Sequence, residues 1–286
     1  MEINTVGIIG GGLMGSEIAI TVARHLGCDV VIRDISDEAL ARSRDTVSKV
    51  ASRTVRRNEA TEAEAAGWLK RICYVTKLED VAAAQPEVVI EAVFEDLALK
   101  QEVFTELDKL TPPSTLLCTN TSALPITSIA AKTQNPGRVV GTHFFNPASI
   151  MKLVEMVRGY YTTDDTVERT KEFCLSIGKE PVVCKDSPGF ITSRLLSPYL
   201  LEAVRCLQEG LASAEDIDKA MKLAYNHPIG PFEFLDLVGL DTMVKVLDEM
   251  SKTMGPAYLA PPLVRQLVAA GRLGRKTGKG FYDYTK

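Results

Sequence analysis

A glycine-rich turn set between a strand and a helix constrains this chain more than any other feature. Thr5-Val6-Gly7-Ile8-Ile9 reads as a short buried strand, Gly10-Gly11-Gly12-Leu13-Met14-Gly15 follows at once, and Ser16 to Leu26 has a helical pattern. Strand, glycine turn and helix in that order form a dinucleotide-binding fingerprint, whereas a lone GxGxxG carries little weight. Gly10 permits the tight turn, Gly12 lets backbone amides approach a pyrophosphate, and Gly15 lets helix and strand pack closely. Leu13 and Met14 complete the cofactor-binding turn, and the helix N-terminus supplies partial positive charge for the phosphates.

A second strand, Asp29-Val30-Val31-Ile32, ends in Arg33-Asp34. Asp34 lies close to the spacing of about 20 residues at which this fold places an acid on the adenosine ribose. A carboxylate there accepts hydrogen bonds from the ribose hydroxyls and repels a 2′-phosphate, which favours NAD over NADP. Arg33 is the competing signal, because a nearby arginine can receive that phosphate. Adjacent strand residues point to opposite faces, so the two are not expected to share the ribose.

The chain of 286 residues suits two domains or one large one. Its composition, 45% hydrophobic and 24% charged, is that of a globular protein and argues against disorder. A net charge of −4 gives no reason to invoke nucleic acid or an anionic membrane surface. No basic segment with an apolar core precedes the first strand, so neither a secretory signal nor a transit peptide is expected. No apolar run approaches the roughly 20 residues that span a bilayer. The six cysteines are scattered with no CxxC pair, as expected for reduced core residues of a cytoplasmic protein. The three histidines, His25, His143 and His227, lie far apart, so no metal site is expected.

Beyond Asp34 the pattern alternates. A long helical tract starts at Ser36, a polar helix covers about Glu62 to Lys70, and apolar strands appear at Glu87 to Ala92, Thr115 to Cys118 and Arg138 to Gly141. Helices are expected at Leu97 to Leu110 and Ile126 to Lys132. Lys152 to Arg158 and Pro181 to Cys184 read as further strands flanking a helix near Thr166 to Ile177. This alternation predicts an α/β domain, a Rossmann-like, doubly wound parallel sheet, over residues 1–186. From residue 187 onward strand signals are nearly absent. Phe190 to Glu209, Ala214 to Leu223, Leu240 to Lys252 and Pro262 to Ala270 predict an all-helical domain over residues 187–286, with Pro198 kinking its first helix. Its apolar character points to a subunit interface.

The strand ending at Thr142 delivers His143, and ligands of doubly wound sheets bind outside the carboxyl ends of the strands. Glu155, in Lys152-Leu153-Val154-Glu155-Met156-Val157, is a carboxylate on an otherwise apolar strand, where an acid needs a partner. Alone, His143 reads as a satisfied histidine and Glu155 as an edge residue. Paired, they form a general base, with the carboxylate orienting the imidazole and stabilising the imidazolium.

Gly10 to Gly15, Asn120-Thr121-Ser122, His143-Phe144-Phe145-Asn146-Pro147, Met151-Lys152-Leu153-Val154-Glu155, Pro188-Gly189-Phe190, Gly230-Pro231-Phe232-Glu233 and Arg275-Lys276-Thr277-Gly278-Lys279-Gly280-Phe281-Tyr282 occur in order along the whole chain. Together they resemble the L-3-hydroxyacyl-CoA dehydrogenases, including the short bacterial 3-hydroxybutyryl-CoA dehydrogenases. The resemblance implies reversible, NAD-linked interconversion of (S)-3-hydroxyacyl-CoA and 3-oxoacyl-CoA by a homodimer. It implies that His143 takes the 3-hydroxyl proton, Glu155 holds His143 and Ser122 hydrogen-bonds the substrate oxygen. It further implies cofactor contacts from Glu95, Lys100, Ser122, Asn146 and Lys276.

Two positions depart from the family pattern. Ser193, in Gly189-Phe190-Ile191-Thr192-Ser193-Arg194, stands where an asparagine contacts substrate, and a hydroxyl cannot donate from the same place. Asn-Pro-x-Pro is altered to Asn146-Pro147-Ala148-Ser149. Both lie near the expected acyl pocket.

A polyanionic CoA needs basic residues, and Lys49, Arg53, Arg56 and Arg57 recur at helical spacing as one stripe, which reads equally as a CoA contact or a solvated helix face. Two rival functions share the motifs: a dehydrogenase of a free hydroxy or sugar acid, of the gulonate or λ-crystallin kind, and a non-catalytic NAD-binding structural protein.

Overall fold

A computed structural model describes residues 2–285, and the chain divides between Ser187 and Pro188 into two compact units. The first opens with β1 (Thr5–Ile9), α1 (Leu13–Leu26) and β2 (Asp29–Arg33). Ser36 then caps α2 (Asp37–Arg56) by accepting a hydrogen bond from the Ala39 amide, one of the donors a helix start leaves without a partner. A capping box, Thr61 with Glu64, starts α3 (Glu62–Lys70), which leads into β3 (Ile72–Val75) and α4 (Leu78–Ala83). The unit continues through β4 (Val88–Glu91), α5 (Leu97–Leu110), β5 (Leu116–Thr119), α6 (Ile126–Ala130), β6 (Val139–Phe144), β7 (Leu153–Arg158), α7 (Asp164–Ser176) and β8 (Glu180–Lys185).

The eight strands form one sheet in the order β3-β2-β1-β4-β5-β6-β7-β8. Strand order reverses between β1 and β4, which opens a crevice at their carboxyl ends. Val6, Ile8, Val30, Ile32, Val88 and Ile90 are buried in the core beneath that crevice. The sheet departs from the parallel arrangement predicted throughout. From β3 to β6 every pair is parallel, but β7 runs antiparallel to β6, and β8 is parallel to β7. Only residues 145–152 connect β6 to β7, too few for the roughly dozen residues that a parallel crossover requires.

The second unit is built from α8 (Thr192–Gln208), α9 (Ala214–Tyr225), α10 (Pro231–Val238), α11 (Leu240–Met254) and α12 (Pro262–Ala269). Helix α8 runs through Pro198 as one element, with Leu200, Leu201 and Val204 buried in the unit's own core. The sequence pattern did not predict α10, because Pro228 to Pro231 reads as turn punctuation. Pro231 instead occupies the first turn, where its missing N–H costs nothing. Asp218 of α9 accepts hydrogen bonds from the Phe232 and Glu233 amides at 2.8 and 3.0 Å, supplying the cap that Gly230 lacks a side chain to provide.

Candidate active site

The glycine turn sits at the carboxyl end of β1, beside the crevice. Gly10 adopts φ 101°, a conformation that L side chains rarely enter, and a Cβ there would lie 2.6 Å from the Ala92 carbonyl oxygen. A Cβ at Gly15 would collide with the Gly10 carbonyl oxygen, whereas one at Gly12 would have no neighbour within 4 Å. The protein therefore leaves open space over Gly12, where a pyrophosphate needs close approach to backbone. Helix α1 begins there without a side-chain cap and without an acid in its first turn, so its N-terminal charge is not answered from within. Leu13, Ile35 and Phe94 are exposed large apolar residues just beyond the carboxyl ends of β1, β2 and β4. These features fit a dinucleotide.

Asp34 and Arg33 separate as strand alternation predicts. Asp34 Oδ2 accepts a hydrogen bond from the Gly11 amide at 2.8 Å, tying the end of β2 to the glycine turn. The Arg33 guanidinium turns away and donates to the Thr76 carbonyl at 3.0 Å.

His143 and Glu155 are direct partners in the antiparallel β6–β7 register. Their side chains fall on one face, with His143 Nδ1 2.8 Å from Glu155 Oε2 and both residues buried. A carboxylate only accepts, so Nδ1 carries the proton and Nε2 presents a lone pair. Ser122 Oγ lies 3.1 Å from that Nε2 and donates to it. The Phe145 ring packs on the imidazole with centroids 4.5 Å apart. Asn120 Oδ1 accepts from the Phe144 amide at 2.9 Å and ties the end of β5 to β6. Ser122, His143 and Glu155 thus form one hydrogen-bonded chain across three neighbouring segments.

Glu95 accepts hydrogen bonds from Thr121 Oγ1, the Ser122 amide and the Ala123 amide at 2.5, 2.9 and 3.2 Å. Lys100 on α5 is fully buried, with its ammonium 2.6 Å from Glu91 Oε1 and 3.5 Å from Glu95 Oε2. Glu91 in turn accepts from Thr119 Oγ1 at 2.7 Å, and burial pushes its carboxyl above the usual carboxylate range. Sequence reasoning gave Glu91 and Thr119 no role. The available signal was Glu91 itself, an acid closing an apolar strand and therefore in need of a cation.

Asn146 is exposed on the loop after β6. That loop is held from beneath. Buried Lys179 donates to the Ala148 and Met151 carbonyls, the second at 2.9 Å, and Glu17 Oε2 accepts from the Ser149 amide and hydroxyl at 3.1 and 3.2 Å. Ser149 therefore uses both groups that a proline lacks.

The basic stripe is largely neutralised. Lys49 pairs with Asp45 at 2.6 Å, Arg53 with buried Glu17 at 3.4 Å, and Arg57 with Glu59 at 2.9 Å. Arg57 also lies just past the end of α2, as its C-cap. Arg56 is exposed.

In the helical unit, Ser193 lies in the first turn of α8 and is half-buried. Lys276 pairs with Asp241 at 2.5 Å. Among the described residues, no group of three or more His, Cys, Asp or Glu could hold a metal ion. No described helix is long and apolar enough to cross a membrane.

Comparison with known proteins covers both units. Residues 5–187 match the family model of the 3-hydroxyacyl-CoA dehydrogenase NAD binding domain, and residues 189–284 match that of the 3-hydroxyacyl-CoA dehydrogenase C-terminal domain. The chain is 42% identical over 285 residues to a probable 3-hydroxybutyryl-CoA dehydrogenase of Bacillus subtilis, covering 99% of this chain and 98% of that protein. It is 44% identical over 289 residues to the mitochondrial hydroxyacyl-coenzyme A dehydrogenase of Rattus norvegicus, covering 99% of this chain and 91% of the relative. Among solved structures, the (S)-3-hydroxybutyryl-CoA dehydrogenase PaaH1 of Ralstonia eutropha superposes with a TM-score of 0.94 at 42% identity, over 100% of both chains.

Proposed function

The chain belongs to the 3-hydroxyacyl-CoA dehydrogenase family, and from that membership we propose that it interconverts (S)-3-hydroxyacyl-CoA and 3-oxoacyl-CoA, with the pair 3-hydroxybutyryl-CoA and acetoacetyl-CoA as its substrates. The enzyme is an NAD-dependent oxidoreductase. The observation that carries the reaction is the Ser122–His143–Glu155 hydrogen-bond chain at the strand ends, and the choice of substrate is supported by the relatives at 42% identity over the full chain.

The chemistry follows from those contacts. In the oxidative direction, His143 Nε2 takes the proton of the 3-hydroxyl as C3 loses hydride and its C–O bond becomes a carbonyl. Glu155 accepts from Nδ1, which selects the neutral tautomer whose Nε2 lone pair faces the substrate oxygen, and stabilises the imidazolium once the proton has moved. Ser122 donates to the same substrate oxygen and holds it against the imidazole. In the reductive direction the imidazolium returns the proton to that oxygen. NAD, when bound, supplies the hydride acceptor at its nicotinamide. The Gly10, Gly12 and Gly15 turn with Leu13 and Met14 holds its pyrophosphate, and Asp34 meets its ribose. Contacts from Asn146 and Lys276 rest on family resemblance.

The CoA moiety is assigned to the stripe on α2, with Lys49, Arg56 and Arg57 as contacts. Arg53 is better explained by Glu17, whose buried carboxylate needs a counter-charge. Leu195, Leu211, Leu223 and Tyr225 in the helical unit each expose 70% or more of their surface, which supports a homodimer assembled through this unit. Six free cysteines support a reducing, cytoplasmic setting.

The test is NADH oxidation with acetoacetyl-CoA against free acetoacetate. Preference for the thioester supports this reading, preference for the free acid favours a hydroxy-acid dehydrogenase, and no turnover of either contradicts the proposed substrate.

A further inference from the structure

Glu17 stands on α1 two residues beyond the glycine turn and is only 3% exposed. A carboxylate there offers nothing to a dinucleotide's phosphates and is costly to bury unless its charge and lone pairs are matched. Its partners lie on two other segments. Oε1 pairs with Arg53 of α2 at 3.4 Å, and Oε2 accepts from the Ser149 amide and hydroxyl at 3.1 and 3.2 Å. Ser149 belongs to the loop of residues 145–152 that runs from β6, with His143, to β7, with Glu155. Buried Lys179 grips the same loop by donating to the Ala148 and Met151 carbonyls. Burial lowers the pKa of Lys179, and the Glu17 charge opposes that shift and favours the ammonium. At its start the loop carries Phe145, whose ring packs on the His143 imidazole with centroids 4.5 Å apart.

We propose that Glu17 is a positioning residue for proton transfer: it anchors the 145–152 loop through Ser149, and the anchored loop keeps Phe145 on His143 and Nε2 aimed at the substrate oxygen. The pair does the work of the proline that the family pattern carries at this position. A proline restrains the loop by fixing its own φ, whereas Ser149 leaves φ free and gains its restraint from two hydrogen bonds to Glu17. This role rests on the proposed reaction only for its kinetic readout. The anchor acts on geometry, where a displacement of about 1 Å can cost on the order of 100-fold in rate.

The test compares Glu17→Ala, Ser149→Ala and the double variant Glu17→Ala with Ser149→Pro. Glu17→Ala should lower kcat with acetoacetyl-CoA by about 10- to 100-fold, with the NADH dissociation constant unchanged within about twofold. The double variant should return kcat to within about threefold of wild type, because proline restrains the loop without a partner. A purely structural role lowers the melting temperature and leaves the kcat of the folded enzyme unchanged. A loss of kcat that Ser149→Pro does not relieve places the effect elsewhere than the loop. A rise in the NADH dissociation constant that matches the loss of kcat places it at the glycine turn. Each of these three results overturns the proposal.

The His143 imidazole NMR signals of the free enzyme, assigned by their absence in His143→Gln, supply a readout independent of substrate. They should shift in Glu17→Ala and, by less, in Ser149→Ala, which removes one of the two hydrogen bonds, and return in the double variant. If Glu17→Ala does not fold, Ser149→Ala decides, and unshifted His143 signals there overturn the anchor. If wild type fails to reduce acetoacetyl-CoA, the proposed function falls, and the NMR comparison alone tests the anchor.

Discussion

His143 and Glu155 face each other directly across the antiparallel β6–β7 ladder, and this register brings Nδ1 within 2.8 Å of the carboxylate. In a pleated pair, directly opposite residues share a face, so the two backbones set the distance before any side chain adjusts. The contact is buried on both sides. Glu155 therefore fixes which nitrogen of His143 carries the proton.

Glu155→Gln keeps the shape of that contact and removes its charge. A neutral amide can serve either tautomer and does not stabilise an imidazolium. We expect kcat to fall by about two to three orders of magnitude, with the NADH dissociation constant changed little. Turnover within twofold of wild type would show that the carboxylate does not orient the base.

Asp34 should select the cofactor. Wild type is expected to use NADH more efficiently than NADPH, and Asp34→Ala should narrow the ratio of kcat/KM values by about tenfold or more, the worth of one charge-assisted hydrogen bond. Arg33, held on the Thr76 carbonyl, is not positioned to rescue NADPH. Equal efficiency with both cofactors in wild type, or no change in the variant, would remove Asp34 from the ribose site.

The α2 stripe divides into two groups with different expected outcomes. The triple replacement Lys49→Ala, Arg56→Ala and Arg57→Ala should raise KM for acetoacetyl-CoA by about fivefold or more and spare a truncated pantetheine thioester. Arg53→Ala should instead lower the melting temperature, because it removes the ion-pair partner of buried Glu17. If the triple variant impairs both thioesters alike, the stripe is a solvated face.

The features most legible in the sequence are local ones. The glycine turn could be read because strand, turn and helix are contiguous, and each glycine has its own steric reason. Glu155 could be read because a lone acid on an apolar strand demands a partner. The reversal of β7 was less visible, since side chains alternate with period two in parallel and antiparallel strands alike. Its clue was the short connection over residues 145–152. Helix α10 was less visible because two of its first amides are capped by Asp218 from α9, with only Pro231 and Glu233 as local marks of its first turn. The pairing of Lys100 with Glu91 and of Arg53 with Glu17 joins separate elements, and such contacts emerge only from packing.

Buried Cys118 on β5 makes stability fall at alkaline pH. Burial pushes its thiol from 9.0 up to about 12. Above pH 9 the unfolded chain releases this proton while the folded chain retains it. The contribution is therefore fully present below pH 9 and is lost as pH rises toward about 12. One such group costs about 1.4 kcal/mol per pH unit inside that window. Urea unfolding at pH 8 and pH 10 should show wild type losing about 1 kcal/mol more than Cys118→Ala. Equal losses would mean that the thiol does not titrate differently on folding.

His143→Gln removes the nitrogen proposed to move the substrate proton while leaving the rest of the site in place. Single-turnover oxidation of bound NADH by saturating acetoacetyl-CoA isolates the chemical step, and a separate fluorescence titration gives NADH affinity. The single-turnover rate should fall by about two to four orders of magnitude, with NADH affinity nearly unchanged. A variant that keeps more than half of the wild-type rate would contradict that role for His143.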